Sequence, residues 1–389
     1  MLSLVGMGIC AYMTFLHLGL LRGELLGGAV CGEMGTIFNC HAVTAGRFGT
    51  FLHVPLSLWG LVGYLATLSL ACIAWQFSDW TSKAFAALAI LSAVLLLLDV
   101  GLLVVMVTQI RYLCPLCLVT YGLNLAIFLC AAAASGRSWG ALIAESPTVL
   151  RSFLPVPRVA VVWFFWGVVG TGLLGVLAVQ AATTFVVQGS PKMLRHQMAQ
   201  YLKQQTRVQV ETRGDPMLGA PTAAIQLVEF SDFLCPSCQR ASRFNPILLA
   251  GHRKNASFTF KHFPLDTTCN TAIKRLVHPH ACQIAAATEC AHEQGKFWAF
   301  HDLVFQQGPN YKVANLEQDA SRAGLRLEAF RDCMQAGRGL EAVQRDISEG
   351  ARLEVTSTPT YLINGARVTG VLTPAMFEEF LAALQESSR

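Results

Sequence analysis

Charge is what this sequence most lacks. Of 389 residues only 14% are Asp, Glu, Lys or Arg, against about a quarter in an ordinary soluble domain. Hydrophobic residues make up 53%, and the mean hydropathy is +0.46. A wholly soluble chain is excluded, and so is intrinsic disorder, which requires low hydrophobicity and high charge. The 29 basic and 24 acidic residues leave a net charge of +5. No Lys/Arg-rich run concentrates it, which argues against a nucleic-acid binder. No internal repeat at solenoid periods appears. No basic stretch precedes the first apolar run, as it would in a secretory signal. Residues Gly28-Ala29-Val30-Cys31 hint at a lipoprotein cleavage site, but Val30 is too large for the residue before the cut. A retained first span is therefore expected. Cysteine, by contrast, is plentiful, with thirteen residues, several in pairs. Paired cysteines beside apolar runs suggest thiol–disulfide chemistry in an oxidising compartment.

Five apolar runs fill the first half, at 2–21, 54–76, 84–108, 112–134 and 159–182. Each approaches the roughly 20 residues needed to cross a bilayer. After Phe185 the composition turns polar. Residues 190–205 look like an amphipathic helix acting as a stalk, with Met193, Gln197 and Tyr201 on one side and Lys192, Arg195 and Lys203 among them. The loop 135–158 holds Arg137, Arg151 and Arg158 against Glu145, so it is expected on the cytoplasmic side. Segments 77–83 (Asp79, Lys83) and 22–53 (Arg22, Glu24, Glu33, Arg47) are neutral. That topology puts Cys31, Cys40, Cys114, Cys117, Cys235 and Cys238 on one face of the membrane.

In the polar half, the strand-forming run 224–230 is followed by Ser231-Asp-Phe-Leu234 and then Cys235-Pro-Ser-Cys238. A helical pattern starts at Gln239. Pro236 sits where a helix tolerates proline, at its first turn. Cys235 would then lie at a helix N-terminus, where free N–H groups and the macrodipole favour a thiolate. Cys238, one turn in, would be shielded and able to resolve mixed disulfides. A zinc half-site is the alternative for a lone Cys-x-x-Cys, but no second half at metal spacing follows. No metal is expected. Residues 356–363, Asn364-Gly365 and 366–370 read as strand, tight turn, strand, and a helix over 376–384 closes the chain.

This order resembles the thioredoxin superfamily, in its DsbA-like branch, over 215–389. The resemblance implies that Pro359 is a cis-proline facing the active-site disulfide, with Thr358 before it. It implies that Glu229 is a buried acid that takes the proton of Cys238; a polar edge residue is the alternative. Segment 264–350 would be a helical insertion. In the apolar half, Cys31 and Cys40, then Val54-Pro-Leu-Ser-Leu-Trp-Gly60, then Cys114-Pro-Leu-Cys117 with Tyr121 and Asn124 on the same helix, resemble the vitamin K epoxide reductase family over 1–134. In bacteria that family is often fused to a thioredoxin-like domain in this order.

The resemblances together imply a multi-domain chain: an all-α transmembrane bundle with a four-helix core plus a fifth span, then an α/β thioredoxin fold. Domains are expected at 1–134, the cytoplasmic loop 135–158, the fifth span 159–182, the stalk 183–214 and the thioredoxin fold 215–389. They imply a relay in which Cys235 takes electrons from a dithiol of a secreted protein. Cys31 receives them, Cys40 exchanges with Cys114, and Cys117 faces a quinone of the ubiquinone or menaquinone type. Tyr121 and Asn124 would supply polar contacts to that quinone in an apolar pocket. The implied setting is the bacterial cytoplasmic membrane, with periplasmic substrate proteins and the lipid quinone pool as partners. Oligomeric state stays open. The vitamin K epoxide reductase family usually has a hydroxyl residue a few positions after the second loop cysteine, near Arg47; here that stretch reads Thr44-Ala45-Gly46-Arg47, which puts the loop hydrogen bond in doubt. Asp99, inside the third run, would either pass protons to the reduced quinone or pair with a polar group such as His17.

Cys10, Cys72 and Cys130 are expected as buried packing residues. Cys269, Cys282, Cys290 and Cys333 allow three pairings; Cys269–Cys282 and Cys290–Cys333 are expected, as staples of the insertion. A metal site with His278, His280 and His292 is the alternative. A membrane-tethered disulfide isomerase or reductase regulated by the membrane half is the second reading. A thiol-independent chaperone is the third.

Overall fold

The computed structural model describes residues 1–27, 31, 37–45, 48–52, 54–155, 159–186 and 191–387. Residues 28–30, Glu33, Gly46, Arg47, Arg158 and Ser190, which carried part of the expectations above, lie outside them. So do the side chains of Lys192, Met193 and Gln197 on the expected stalk. The chain divides into a unit of residues 1–32 and 37–190 and a unit of 33–36 and 191–389.

Among the described residues, five helices are long and apolar enough to cross a membrane. They are α1 (Leu2–Leu21), α3 (Leu56–Gln76), α4 (Thr81–Val105), α5 (Pro115–Ser135) and α7 (Ala160–Val186). A short helix α2 (Cys40–Ala45) and a hairpin of β1 (Thr50–Phe51) and β2 (Val54–Pro55) fill the loop before α3. Helix α1 packs on α3 and α5, and α4 packs on α3 and α5, which makes the four-helix core; α7 lies outside it, against α3. Leu97, Val100 and Val104 of α4 face outward uncovered by protein. That is what a span surrounded by hydrocarbon requires, since lipid tails are as apolar as leucine. α4 runs on into a π-helical turn, Met106–Ile110, and stops at Arg111, whose backbone is left-handed (φ 59°). That stop turns the chain so that Leu113 pairs with Phe38, beside the start of α5.

The loop 135–158 is not irregular throughout. Residues Trp139–Ser152 form α6, capped by Ser138, whose hydroxyl accepts from the Ala141 N–H at 3.3 Å. Leu142, Val149 and Phe153 recur at helical spacing and are buried in the membrane unit's core. A 14-residue helix too short to span was hidden between two long runs. Two of the three single cysteines also differ from the expected burial. Cys10 is buried, Cys72 half-buried and Cys130 exposed, since Cys130 is on the outward face of α5, where lipid rather than protein would cover it.

The second unit opens with α8 (Pro191–Gln204), then β3 (Met217–Leu218), β4 (Ile225–Ser231), α9 (Pro236–Ala250) and β5 (Ala256–His262). Five helices follow: α10 (Ala281–His292), α11 (Phe297–Gln307), α12 (Leu316–Arg322), α13 (Leu327–Ala336) and α14 (Arg338–Arg352). The hairpin β6 (Thr360–Ile363) and β7 (Ala366–Thr369) and the helix α15 (Pro374–Ser387) end the fold. The sheet order is β3-β5-β4-β6-β7, with β4 and β5 parallel and the other pairs antiparallel. Asn364 and Gly365 turn the hairpin with φ of 48° and 79°, the left-handed pair that a two-residue turn demands. One face of the sheet meets both α15, through Phe258 with Phe377 and Phe380, and the insertion, through Phe260 with Phe297, Phe300 and Phe305. The other face, with Val228, Phe230 and Leu362, packs on Phe263, Leu353 and Val355. This is the thioredoxin-like fold with its helical insertion.

The expected stalk is a helix but not a free rod. Leu202 is buried against α15, and Arg195 pairs with Glu379 at 2.8 Å. The segment after it is also fastened: Val208 N–H donates to Gly365 O at 3.0 Å. Beyond it, Asp215 joins Asp346 and Glu349 around the buried Lys261 ammonium, at 2.6, 2.9 and 2.9 Å. Three carboxylates compensate a charge that burial alone would make very costly.

Candidate redox sites

In the second unit, Cys235 is the N-cap of α9 and Pro236 its first residue. Cys238 is fully buried and Cys235 is 7% exposed. The Cys235 thiol is lowered to about 6. The hydrogen bond from Cys238 is the main cause, and the N–H groups of Cys238 and Ser237 at the helix start add to it. Cys238 is pushed well above its ordinary value, first by burial and then by the neighbouring Cys235. The two sulfurs thus divide into an acidic nucleophile and a protonated reserve. The Thr358–Pro359 peptide is cis, and the Cys235 thiol reaches the Thr358 carbonyl at 3.4 Å.

Glu229 lies on the central strand β4 and is 1% exposed, so it is no edge residue. The Asn245 side-chain N–H donates to it at 2.6 Å, and the Tyr361 hydroxyl holds Asn245 at 2.9 Å. Burial lifts its carboxyl to about 7, and its charge raises Cys238 further.

One neighbour was missed in the sequence. Asp232, buried, accepts from the Leu234 and Leu265 N–H groups at 2.7 Å each and pairs with His278 at 2.8 Å. The ion pair raises the His278 imidazole, and Cys235 raises it further. Asp232 stands three residues before Cys235, a visible signal; His278, 46 positions away, gave none. The disulfides Cys269–Cys282 and Cys290–Cys333 form as expected. Among the described residues no cluster able to hold a metal is found.

In the membrane unit the loop cysteines meet the helical pair. Asn39 N–H donates to Leu113 O at 2.9 Å and Leu113 N–H to Ile37 O at 2.8 Å. These bonds seat the loop at the start of α5. Asn39 caps α2 through the Ala42 N–H at 2.9 Å, which presents Cys40 toward Cys114. Three donors converge on the Cys40 sulfur: the Cys114 thiol, the Cys31 thiol and the Leu116 N–H. Against burial they hold it at about 4. Cys31 is pushed upward, by its hydrogen bond to Cys40 and then by burial. Cys114 is the N-cap of α5, accepting from the Cys117 N–H at 3.2 Å. Cys31, Cys40, Cys114 and Cys117 therefore form one contiguous row of buried sulfurs.

The row ends at a cavity of about 240 Å³. Cys117, Tyr121 and Asn124 line it from α5, His17 from α1, Ser57 from α3 and Asp99 from α4, among apolar side chains such as Leu95, Leu102 and Met106. Spacings of four and three residues put the α5 groups on one helix face. Asp99 pairs with Asn124, not with His17: the amide N–H donates to the carboxylate at 2.7 Å. Asn124 Oδ1 and His17 Nδ1 are buried without partners. The loop hydroxyl in doubt is Thr44, which donates to Cys40 O at 3.0 Å. Gly49 follows because the Thr44 carbonyl leaves no room there for a Cβ.

Residues 1–132 match the vitamin K epoxide reductase family, and residues 211–383 match a thioredoxin family. The chain is a vitamin K epoxide reductase family domain joined to a thioredoxin domain. It is a membrane protein. Among solved structures it is similar to a thioredoxin-like oxidoreductase from Silicibacter pomeroyi, at 22% identity and a TM-score of 0.39 over 45% of this chain and 94% of that one. It is similar also to BdbD from Bacillus subtilis, at 20% identity and 0.38 over 47% and 97%. Among curated proteins it is similar to a Na(+)/H(+) antiporter NhaA 3 of Salinispora tropica, 32% identical over 45% of this chain and 26% of that protein. An NhaA antiporter of Herminiimonas arsenicoxydans is 27% identical over 46% and 27%. The chain spans about a quarter of the length of the curated relatives it matches.

Proposed function

We propose that the protein is a quinone-dependent thiol–disulfide oxidoreductase that makes disulfides in secreted proteins. The observation that carries this reading is the buried sulfur row Cys31–Cys40–Cys114–Cys117 ending at an apolar cavity. The orphaned Asn124 oxygen and the Tyr121 side chain fit a ligand with polar groups at the edge of an apolar ring. A quinone bound there supplies the acceptor for two electrons and two protons. Cys117, Tyr121 and Asn124 would hold it.

The chain's own residues do the rest. A substrate thiolate attacks the Cys235–Cys238 disulfide, and the substrate's second thiol closes its own disulfide, leaving Cys235 and Cys238 reduced. The Cys235 thiolate then attacks Cys31 of the Cys31–Cys40 disulfide. Cys238 loses its proton to Glu229 and resolves the mixed disulfide. Cys40, released as a thiolate, attacks Cys114 of the Cys114–Cys117 disulfide. Cys31 resolves that bond and re-forms its own pair. Each step breaks one S–S bond and makes another, and attack plus resolution together pass two electrons from one pair to the next. The low value at Cys235 favours its reduced form, which makes its disulfide an oxidant. That supports oxidation of substrates over the reductase or isomerase alternative. The thioredoxin domain would lie on the extracytoplasmic side, with the loop cysteines.

The route is tested by trapping. In Cys238→Ala protein the first mixed disulfide cannot be resolved forward. Non-reducing peptide mapping is expected to find Cys235 joined to Cys31. Finding Cys235 joined to Cys40 or Cys114, or to no membrane cysteine, would overturn the route.

A further inference from the structure

The Asp99–Asn124 pair lies beside the sulfur row rather than in it, and the relay leaves Asp99 without a task. Asn124 is 6% exposed. Its amide N–H is committed to the Asp99 carboxylate at 2.7 Å, so its Oδ1 is the atom left over, buried and unpartnered. Both residues line the cavity. An amide oxygen only accepts hydrogen bonds, whereas its nitrogen only donates. The two redox forms of the proposed ligand differ in the same property: a quinone presents carbonyl acceptors, and a quinol presents hydroxyl donors.

The geometry points to Asp99 as a positioning residue whose proton decides which redox form the cavity prefers. With Asp99 ionised, Asn124 must give its N–H to the carboxylate, and Oδ1 is presented to accept from a quinol hydroxyl. With Asp99 protonated, the carboxyl O–H donates to Oδ1, the amide turns over, and its N–H is presented to a quinone carbonyl. The inference rests on the quinone reading above and adds the discrimination between oxidised and reduced ligand. The reaction balances without a further reagent: the Cys114–Cys117 dithiol gives two electrons and two protons, the quinone becomes a quinol, and a disulfide forms. Apart from that transfer, Asp99 gives one proton to bulk water as the site turns from holding quinone to holding quinol, and takes one back from bulk water as quinol is exchanged for quinone.

Other titratable groups face the same space. They are Cys10 and His17 from α1, Tyr64 from α3, and Cys117 and Tyr121 from α5. Helix α6, which also packs on α4, sets Glu145 against Arg137. Arg137 also reaches the Ser82 carbonyl, at the far end of α4 from Asp99. No Lys or Arg lines the cavity among the described residues. Among the described residues the carboxyl's partner is the Asn124 amide, and an Asp99 variant separates its titration from the others.

The test is binding, not turnover. Full-length Cys117→Ala protein, which cannot pass electrons to the ligand, is titrated with decylubiquinone and with decylubiquinol from about pH 5 to about pH 9, by quenching of tryptophan fluorescence. The preference for quinone over quinol is expected to fall as pH rises, by up to about tenfold per pH unit, the limit for one linked proton. Adding Asp99→Asn is expected to flatten that dependence while binding persists, and so is adding Asp99→Leu, a second replacement that guards against a folding defect in the first variant. A flat preference with Asp99 intact, or an unchanged slope in Asp99→Asn, would overturn the inference and leave the quinone reading standing. Failure of decylubiquinone to bind either the Cys117→Ala protein or the unaltered protein with its cysteine pairs oxidised would overturn the quinone reading itself, and the inference with it.

Discussion

Two sulfurs one helical turn apart behave oppositely because their surroundings do. Cys235 collects the N–H groups of a helix start, while Cys238 is sealed in with a carboxyl. Glu229 is the residue on which that asymmetry turns. Its folded value, about 7, is raised above the unfolded one of 4.5. Any stability it contributes is present below pH 4.5 and is lost as pH rises through about 7. Glu229→Gln should therefore stabilise the reduced thioredoxin domain above neutrality, by on the order of 3 kcal/mol. The same change should slow release of the Cys31–Cys235 mixed disulfide by about a hundredfold, the low end for loss of a positioned proton acceptor. It should also abolish the rise of that rate with pH. Stopped-flow exchange and denaturant melts of reduced protein read both, and a variant with unchanged rate and pH profile would remove Glu229 from the chemistry.

At the scale of elements, local pattern and long-range contact part company. Pro236 after Cys235, Ser138 ahead of an apolar 3–4 spacing, and Asn364-Gly365 all act within a few residues, so helix starts and the hairpin are readable in sequence. Helix α6 was nonetheless overlooked, because the polar run 135–158 was weighed for its charge rather than for Leu142, Val149 and Phe153. The Asp99 partner was unreadable, since choosing Asn124 over His17 depends on how α4 rolls against α5. For the same reason His278 against Asp232, and Lys261 among Asp215, Asp346 and Glu349, left no local trace: each is a contact across the fold between residues that no periodicity links. The insertion's disulfides are separated by 13 and 43 residues. Chain-entropy reasoning gives about 3 and about 4 kcal/mol for loops of those lengths. Replacing both cysteines of a pair by serine should lower stability in that order in denaturant melts. The 43-residue pair should cost more than the 13-residue pair, and a reversed order would mean that native contacts, not loop closure, dominate.

For the whole molecule, the composition already divides the labour. A nearly uncharged half supplies helices that cross a membrane and an apolar cavity between them; a polar half supplies a sheet with an acidic cysteine at a helix start. Each half was legible as a class because hydrophobic run length and cysteine spacing are local quantities. Their chemistry becomes one account only if electrons pass from the second to the first, and the linker bears on that. Helix α8 is docked on α15 and Asp215 is held by Lys261. Residues 191–215 are therefore fastened to the thioredoxin domain and do not form a free tether. The most direct measurement is quinone reduction by purified full-length protein supplied with a reduced, unfolded dithiol protein, followed by quinone absorbance. The account predicts steady consumption, stopped by Cys235→Ala, Cys31→Ala or Cys117→Ala. With dithiothreitol as donor it should survive Cys235→Ala but not Cys117→Ala. Sustained turnover in Cys117→Ala protein, or no quinone consumed with either donor, would contradict it.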